Sequence, residues 1–138
     1  GHIHAYMSGL GLELMAASDN VLRAGLTEKY VDAREALRCT DFSAAPPMRI
    51  APEWVNNWTA VYYAPVDDFE LSLAQPGAEW RPLPGRGPRI LTCLDGQAVI
   101  ATKSNELSLQ RGHGAFIDAS DGTVRVRGHG HLAQVDVP

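Results

Sequence analysis

From residue 58 onward, apolar residues arrive in short runs rich in β-branched and aromatic side chains, cut by Gly, Asp, Asn or Pro. WTAVYYAP, DDFELSLA, PRILTCLDG, QAVIATK, NELSLQRG, GAFIDA, TVRVRG and HLAQVDV each have strand length and strand composition. The pairs DG at 95 and 96, SN at 104 and 105 and DG at 121 and 122 carry tight-turn chemistry. RGHG at 111 to 114 reads as a hairpin connection that leaves His113 exposed, and GHG at 128 to 130 reads as the turn between the last two strands. Eight short strands at close spacing predict an antiparallel sandwich or barrel, and a jelly roll fits best.

The first third is different. HIHAYM alternates, SGLG supplies turn residues and LELMA alternates again, which predicts a hairpin over residues 2–16. SDNVLRAGLTEKY is polar and irregular and reads as a loop. VDAREALRCTD places Val31, Ala33, Ala36 and Leu37 on one stripe, which predicts the chain's one short helix. Residues 43–59 carry Pro46, Pro47 and Pro52 without a clear period, so a crossing segment is expected there. A boundary at this point separates residues 1–42 from a β module of residues 43–138.

A chain of 138 residues with 45% hydrophobic and 20% charged residues has the makings of a folded domain with one core. Its net charge of −4 argues against a nucleic-acid or acidic-membrane partner. Arg81, Arg86 and Arg89 stand amid Pro and Gly and read as a solvated loop face. Cys39 and Cys93 both have apolar neighbours and are expected to be buried free thiols. With no signal-peptide pattern at the start and no run long enough to span a bilayer, a cytoplasmic location is expected. Gly-rich phosphate loops, GxSxG elbows and CxxC pairs are absent from the sequence.

His2 and His4 are two apart, so a strand would direct both side chains to one face and toward one metal ion. A zinc site needs three or four ligands, however, and Glu13 follows too late for the HxH pattern of cupins. His129 and His131 repeat the spacing with no carboxylate close in sequence and read as structural. Asp19 and Asn20 suit a turn or helix cap, Arg23 a surface ion pair, and Glu13 an exposed hairpin position. Each signal is weak alone.

Together, the string HAYMSGLGLELMAASDNVLRAGLTEKYVD strongly resembles the signature of the type I mannose-6-phosphate isomerases, members of the cupin superfamily. That signature has HAY, a Gly-containing turn, a glutamate and then M-A-x-S-D-N-V-[LV]-R-A/G-G-[LF]-T-P-K. Glu28 stands here where the family usually has proline. Looser similarity runs from PVDDFELSL through VRVRGHGHLAQV, so the resemblance covers nearly the whole chain.

The resemblance implies a zinc-dependent interconversion of mannose 6-phosphate and fructose 6-phosphate. It implies His4 as a zinc ligand, with no ligand role for His2. Arg23 is implied to stabilise the developing enediolate and Asp19 to handle a proton, while Tyr6, Glu13 and Lys29 lie near substrate. Residues 1–42 would be the end of the catalytic zinc cupin domain, comprising hairpin, active-site loop and helix, and residues 43–138 the C-terminal jelly-roll β domain. The family draws a glutamine, a second histidine and a glutamate from sequence upstream of HAY, so a C-terminal portion inactive on its own is expected. The alternative is a free-standing, cupin-like module that binds a sugar or a partner without catalysis. Exposed strand edges would suit a homodimer.

Overall fold

The computed structural model describes residues 1–17 and 21–138. The chain divides into two compact units, Gly1–Met48 and Arg49–Pro138.

In the first unit, helix α1 (Ala33–Cys39) forms where the periodicity predicts it. Asp32 caps its start, with Oδ1 accepting from the Glu35 N–H at 2.9 Å. Glu35 and Arg38 pair one turn apart along its surface. The Thr40 hydroxyl donates to the Ala36 carbonyl at 2.7 Å and closes the last turn. The Asp41 N–H donates to the Gly1 carbonyl at 2.7 Å, which holds the start of the chain beside the helix end.

The hairpin expected over residues 2–16 is not formed: none of these residues is in a strand. The reason lies in burial. Ala36 is the only buried residue among those described in this unit, whereas Met7, Leu10, Leu26 and Tyr30 are more than four-fifths exposed. A two-stranded hairpin without an apolar face to rest on is marginal in water. The helix stripe fails for the same reason, since Val31, Ala33 and Leu37 stay exposed beside buried Ala36. Cys39 is likewise exposed, against expectation, with Sγ 3.6 Å from the Glu35 carboxylate.

The second unit is an eight-stranded antiparallel sheet. Its strands are β1 (Glu53–Trp54), β2 (Thr59–Tyr62), β3 (Glu70–Ala74), β4 (Arg81–Pro82), β5 (Arg89–Ala101), β6 (Glu106–Gln110), β7 (Gly114–Ile117) and β8 (Arg125–Asp136). The hydrogen-bonded order is β1-β2-β3-β8-β5-β6, with β4 on β8 and β7 on β5. Trp58, Leu91, Cys93, Leu109, Ile117, Val126 and Leu132 form the core. Full burial of each large aliphatic side chain stabilises the unit by about 1.5–3 kcal/mol. Cys93 meets its expectation, and burial pushes its thiol pKa up.

Two expected turns are continuous strand. PRILTCLDG and QAVIATK join into the single strand β5, and TVRVRG and HLAQVDV into β8. DG at 95 and 96 forms a β-bulge, with the register shifting between Cys93 and Asp95 and Gly96 at φ +66°. Gly128 and Gly130, also at positive φ, let β8 lie against that bulge. The SN turn forms as expected, with the Thr102 N–H donating to the Asn105 carbonyl at 2.9 Å. The β6–β7 connection likewise leaves His113 exposed.

The arginine cluster departs furthest from the sequence expectation. Arg86 is exposed, but Arg81 lies half-buried on β4 with its guanidinium 5.7 Å from the centre of a Trp58 ring. Arg89 is only 2% exposed. Its Nη1 donates to the Pro84 and Gly85 carbonyls at 3.1 and 2.8 Å, and Nη2 donates to the Gly122 carbonyl at 3.1 Å. Arg89, Asp136 and Glu70 are successive register partners on β5, β8 and β3.

Burial pushes the Asp136 carboxyl above its ordinary value, against the opposing pull of the Gln134 amide and Arg89. Burial and the Asp136 charge do the same to Glu70. A carboxyl whose folded pKa is raised stabilises the fold below the ordinary carboxylate range, and that contribution is lost as pH rises through the raised value. Urea titrations should therefore show D136N gaining stability relative to the parent as pH rises from about 4 to 7. Parallel stability curves for the two proteins would contradict this.

Candidate functional site

The residues singled out by the sequence lie in the first unit, apart from any packed core. His4, Tyr6, Glu13 and Lys29 are exposed and Arg23 is half-buried; Asp19 lies outside the described residues. Gly11 lets the Tyr6 ring approach the backbone, because a Cβ there would come within 2.9 Å of the ring. Leu26 holds the left-handed conformation at φ +57°, and the Thr27 hydroxyl accepts from the Lys29 N–H at 3.2 Å. This turn sets the backbone direction leading into Lys29.

The described ion pairs are Glu35–Arg38, Glu106–Arg127 and Asp95–His131, so none joins two of the candidate residues. Among the described residues, no three His, Cys, Asp or Glu side chains form a group that could hold a metal. His4 by itself does not fit zinc, which takes four ligands in structural sites and three plus water in catalytic ones. Because His2 and His4 are not on a strand, the face they were expected to share is not formed either.

The second unit contains a polar constellation that the sequence reading missed. His131 Nδ1 lies 2.7 Å from Asp95 Oδ2, and Asp95 Oδ1 accepts from the His131 N–H at 2.8 Å. Gln75 Nε2 is 2.9 Å from His131 Nε2. The His131 hydrogen bonds hold the Asp95 carboxyl below the usual carboxylate range. Further along β8, the guanidiniums of Arg127 and Arg125 lie 4.5 and 5.4 Å from the centre of a Trp80 ring. The available signal was the alternation in RVRGHGH. Read as one strand, it puts both arginines and both histidines on a single face.

An eight-stranded antiparallel sheet, with one short α-helix among the described residues of the first unit, gives the chain a cupin-type β fold. Residues 86–137 match the family model described as "Mannose-6-phosphate isomerase, cupin domain". Mannose-6-phosphate isomerase of Escherichia coli K12 is 41% identical over 133 residues, which cover 96% of this chain and 34% of that protein. The enzyme of Homo sapiens is 32% identical over 127 residues, covering 86% of this chain and 30% of that protein. Among solved structures, the Salmonella typhimurium enzyme bound to its substrate (f6p) and zinc aligns at TM-score 0.77 and 37% identity. That alignment covers 89% of this chain and 32% of the Salmonella chain. The chain is thus similar to mannose-6-phosphate isomerases along nearly its whole length, and it spans about a third of the length of these relatives. No helix among the described residues is long and apolar enough to cross a membrane.

Proposed function

We propose that this chain is the C-terminal portion of a zinc-dependent, cytoplasmic mannose-6-phosphate isomerase that interconverts mannose 6-phosphate and fructose 6-phosphate. The observation that carries the reading is 41% identity with the Escherichia coli enzyme across 96% of the chain. In this reading residues 1–42 end the catalytic domain and residues 43–138 form the jelly-roll domain. His4 is this chain's one zinc ligand, and the others come from the remaining two-thirds of the protein. Supporting His4 and Glu13, two matched Salmonella typhimurium structures carry a substituted histidine and a substituted glutamate nine positions apart, which is the separation of His4 and Glu13 here.

Aldose–ketose isomerisation removes a proton from a carbon beside a carbonyl, so negative charge develops on the neighbouring oxygens. We assign Arg23 to stabilise that charge and Asp19 to proton handling. Tyr6, Glu13 and Lys29 position the phosphosugar, with Lys29 suited to the phosphate by its charge. The exposure of His4, Tyr6, Glu13 and Lys29, and the burial of Ala36 alone among the described residues of the first unit, fit a site completed by other parts of the protein.

Two measurements test this. In the complete protein, Arg23→Ala should lower kcat by about 10²–10³-fold, the effect of removing one group that stabilises developing charge. A loss below tenfold would remove Arg23 from the chemistry. The 138-residue chain alone should retain no stoichiometric zinc through gel filtration and show no turnover in a coupled assay. Turnover of mannose 6-phosphate by the purified chain would overturn the fragment reading.

A further inference from the structure

Along β8, Arg125, Arg127, His129 and His131 alternate with Val126, Gly128, Gly130 and Leu132. Val126 and Leu132 are buried and the four cationic or titratable residues are exposed, so these four form an outward ladder with a rung about every 7 Å. His131 is engaged by Asp95 and Gln75. Arg127 meets Glu106 only at 3.8 Å and keeps donors free while its guanidinium stacks on Trp80.

Register then brings further polar groups beside this ladder. Gln110, Gln97 and His129 are partners across β6, β5 and β8, and Ser108, Val99 and Arg127 form the next row on the same face. All six line a groove of about 520 Å³. Between them, Ala98 and Leu109 are buried in the core, which places the groove on the outer face of the sheet. Ala78 edges the groove, held there as the neighbouring Gly77 carbonyl accepts from the Gly128 N–H at 2.9 Å. The volume lies within the range of about 300–1,000 Å³ typical of small-molecule sites.

Two amides, an imidazole and a hydroxyl offer donors and acceptors suited to a ring of hydroxyl groups. One guanidinium at the edge suits a single phosphate. Glu106 and Asp95 flank the ladder and break its positive charge, which favours a small anion over a nucleic-acid strand. We propose that this groove is a binding site for a phosphorylated sugar, with the phosphate on Arg127 and hydroxyl groups on Gln97, Gln110 and His129. It uses none of the signature residues between His4 and Lys29.

The test is titration of the 138-residue chain with mannose 6-phosphate, followed by Trp fluorescence with W80F to assign the signal. Saturable binding is expected, at least tenfold weaker in R127Q and unchanged in R86Q, a substitution at an exposed position outside the groove. Circular dichroism checks folding; should R127Q fail to fold, Gln110→Ala is read instead, with about threefold weakening expected. No saturable binding, or full binding in the folded groove variants, overturns the site. Equal affinity for inorganic phosphate overturns the sugar half of the assignment, and tighter binding of a ten-nucleotide RNA overturns the small-molecule class. Binding lost in R23A but kept in R127Q rejects the groove while leaving the isomerase reading intact.

Discussion

Arg89→Ala is expected to destabilise the β unit by about 3–5 kcal/mol, because it removes a buried guanidinium whose charged hydrogen bonds contribute about 1.5–3 kcal/mol each. The Gly85 and Gly122 carbonyls would lose this donor, the Pro84 carbonyl would keep only the Gln134 amide, and Asp136 would lose the positive charge of Arg89 that opposes its raised pKa. Gly85 lies against the same cluster, where an added Cβ would meet Asp136 Oδ2, the Gln134 amide and the Arg89 side chain. Lysine should rescue little, because it lacks the planar fork that reaches several carbonyls at once. All three tryptophans, at 54, 58 and 80, lie in this unit, so urea unfolding followed by their fluorescence reads its stability directly. A loss below about 1 kcal/mol, the scale of a solvated surface residue, would return Arg89 to the role its sequence context suggested.

The second large effect concerns the bulge. Gly130→Ala should cost about 2–5 kcal/mol, combining backbone strain with overpacking. At φ +110° an L side chain is disfavoured, and a Cβ would stand 2.2 Å from the Asp95 carbonyl oxygen and 2.7 Å from its Oδ1. The clash falls on the backbone that positions Asp95 against His131, so backbone amide NMR signals around 95 and 131 should shift most. Gly112→Ala is the comparison: φ is also positive at +82°, but nothing lies within 4 Å of the added carbon, leaving strain alone. Equal losses in the two variants would show that close approach of β8 to the bulge contributes nothing.

These two regions show where sequence reasoning reached and where it stopped. Strands β2, β3, β6 and β7 were legible because each is a short apolar run bounded by turn residues. Helix α1 was legible from the apolar spacing within VDAREALRCTD. The Asp-Gly pair at 95 and 96 misled because the same chemistry that makes a tight turn also makes a bulge, and only the strand alongside decides between them. GHG misled in the same way: glycine at positive φ serves a turn or a close strand approach equally well. Arg89 was illegible because its partners are carbonyls at 84, 85 and 122, and a backbone carbonyl leaves no mark on residue type. Among the signature residues, identity was legible and geometry was not, because the unit that carries them buries only Ala36 among its described residues.

By itself, the sequence determined the class of fold, the position of the helix and, through the string from His4 to Lys29, the likeness to mannose-6-phosphate isomerases. Those properties follow from local alternation, helical spacing and residue identity, which are written along the chain. Tertiary structure alone decided that β5 and β8 run unbroken, that Arg89 is buried, and that Arg127 and His129 share a groove with Gln97 and Gln110. Each of these depends on which strand lies beside which, and strand pairing between residues some 30 positions apart is set by the core they bury together.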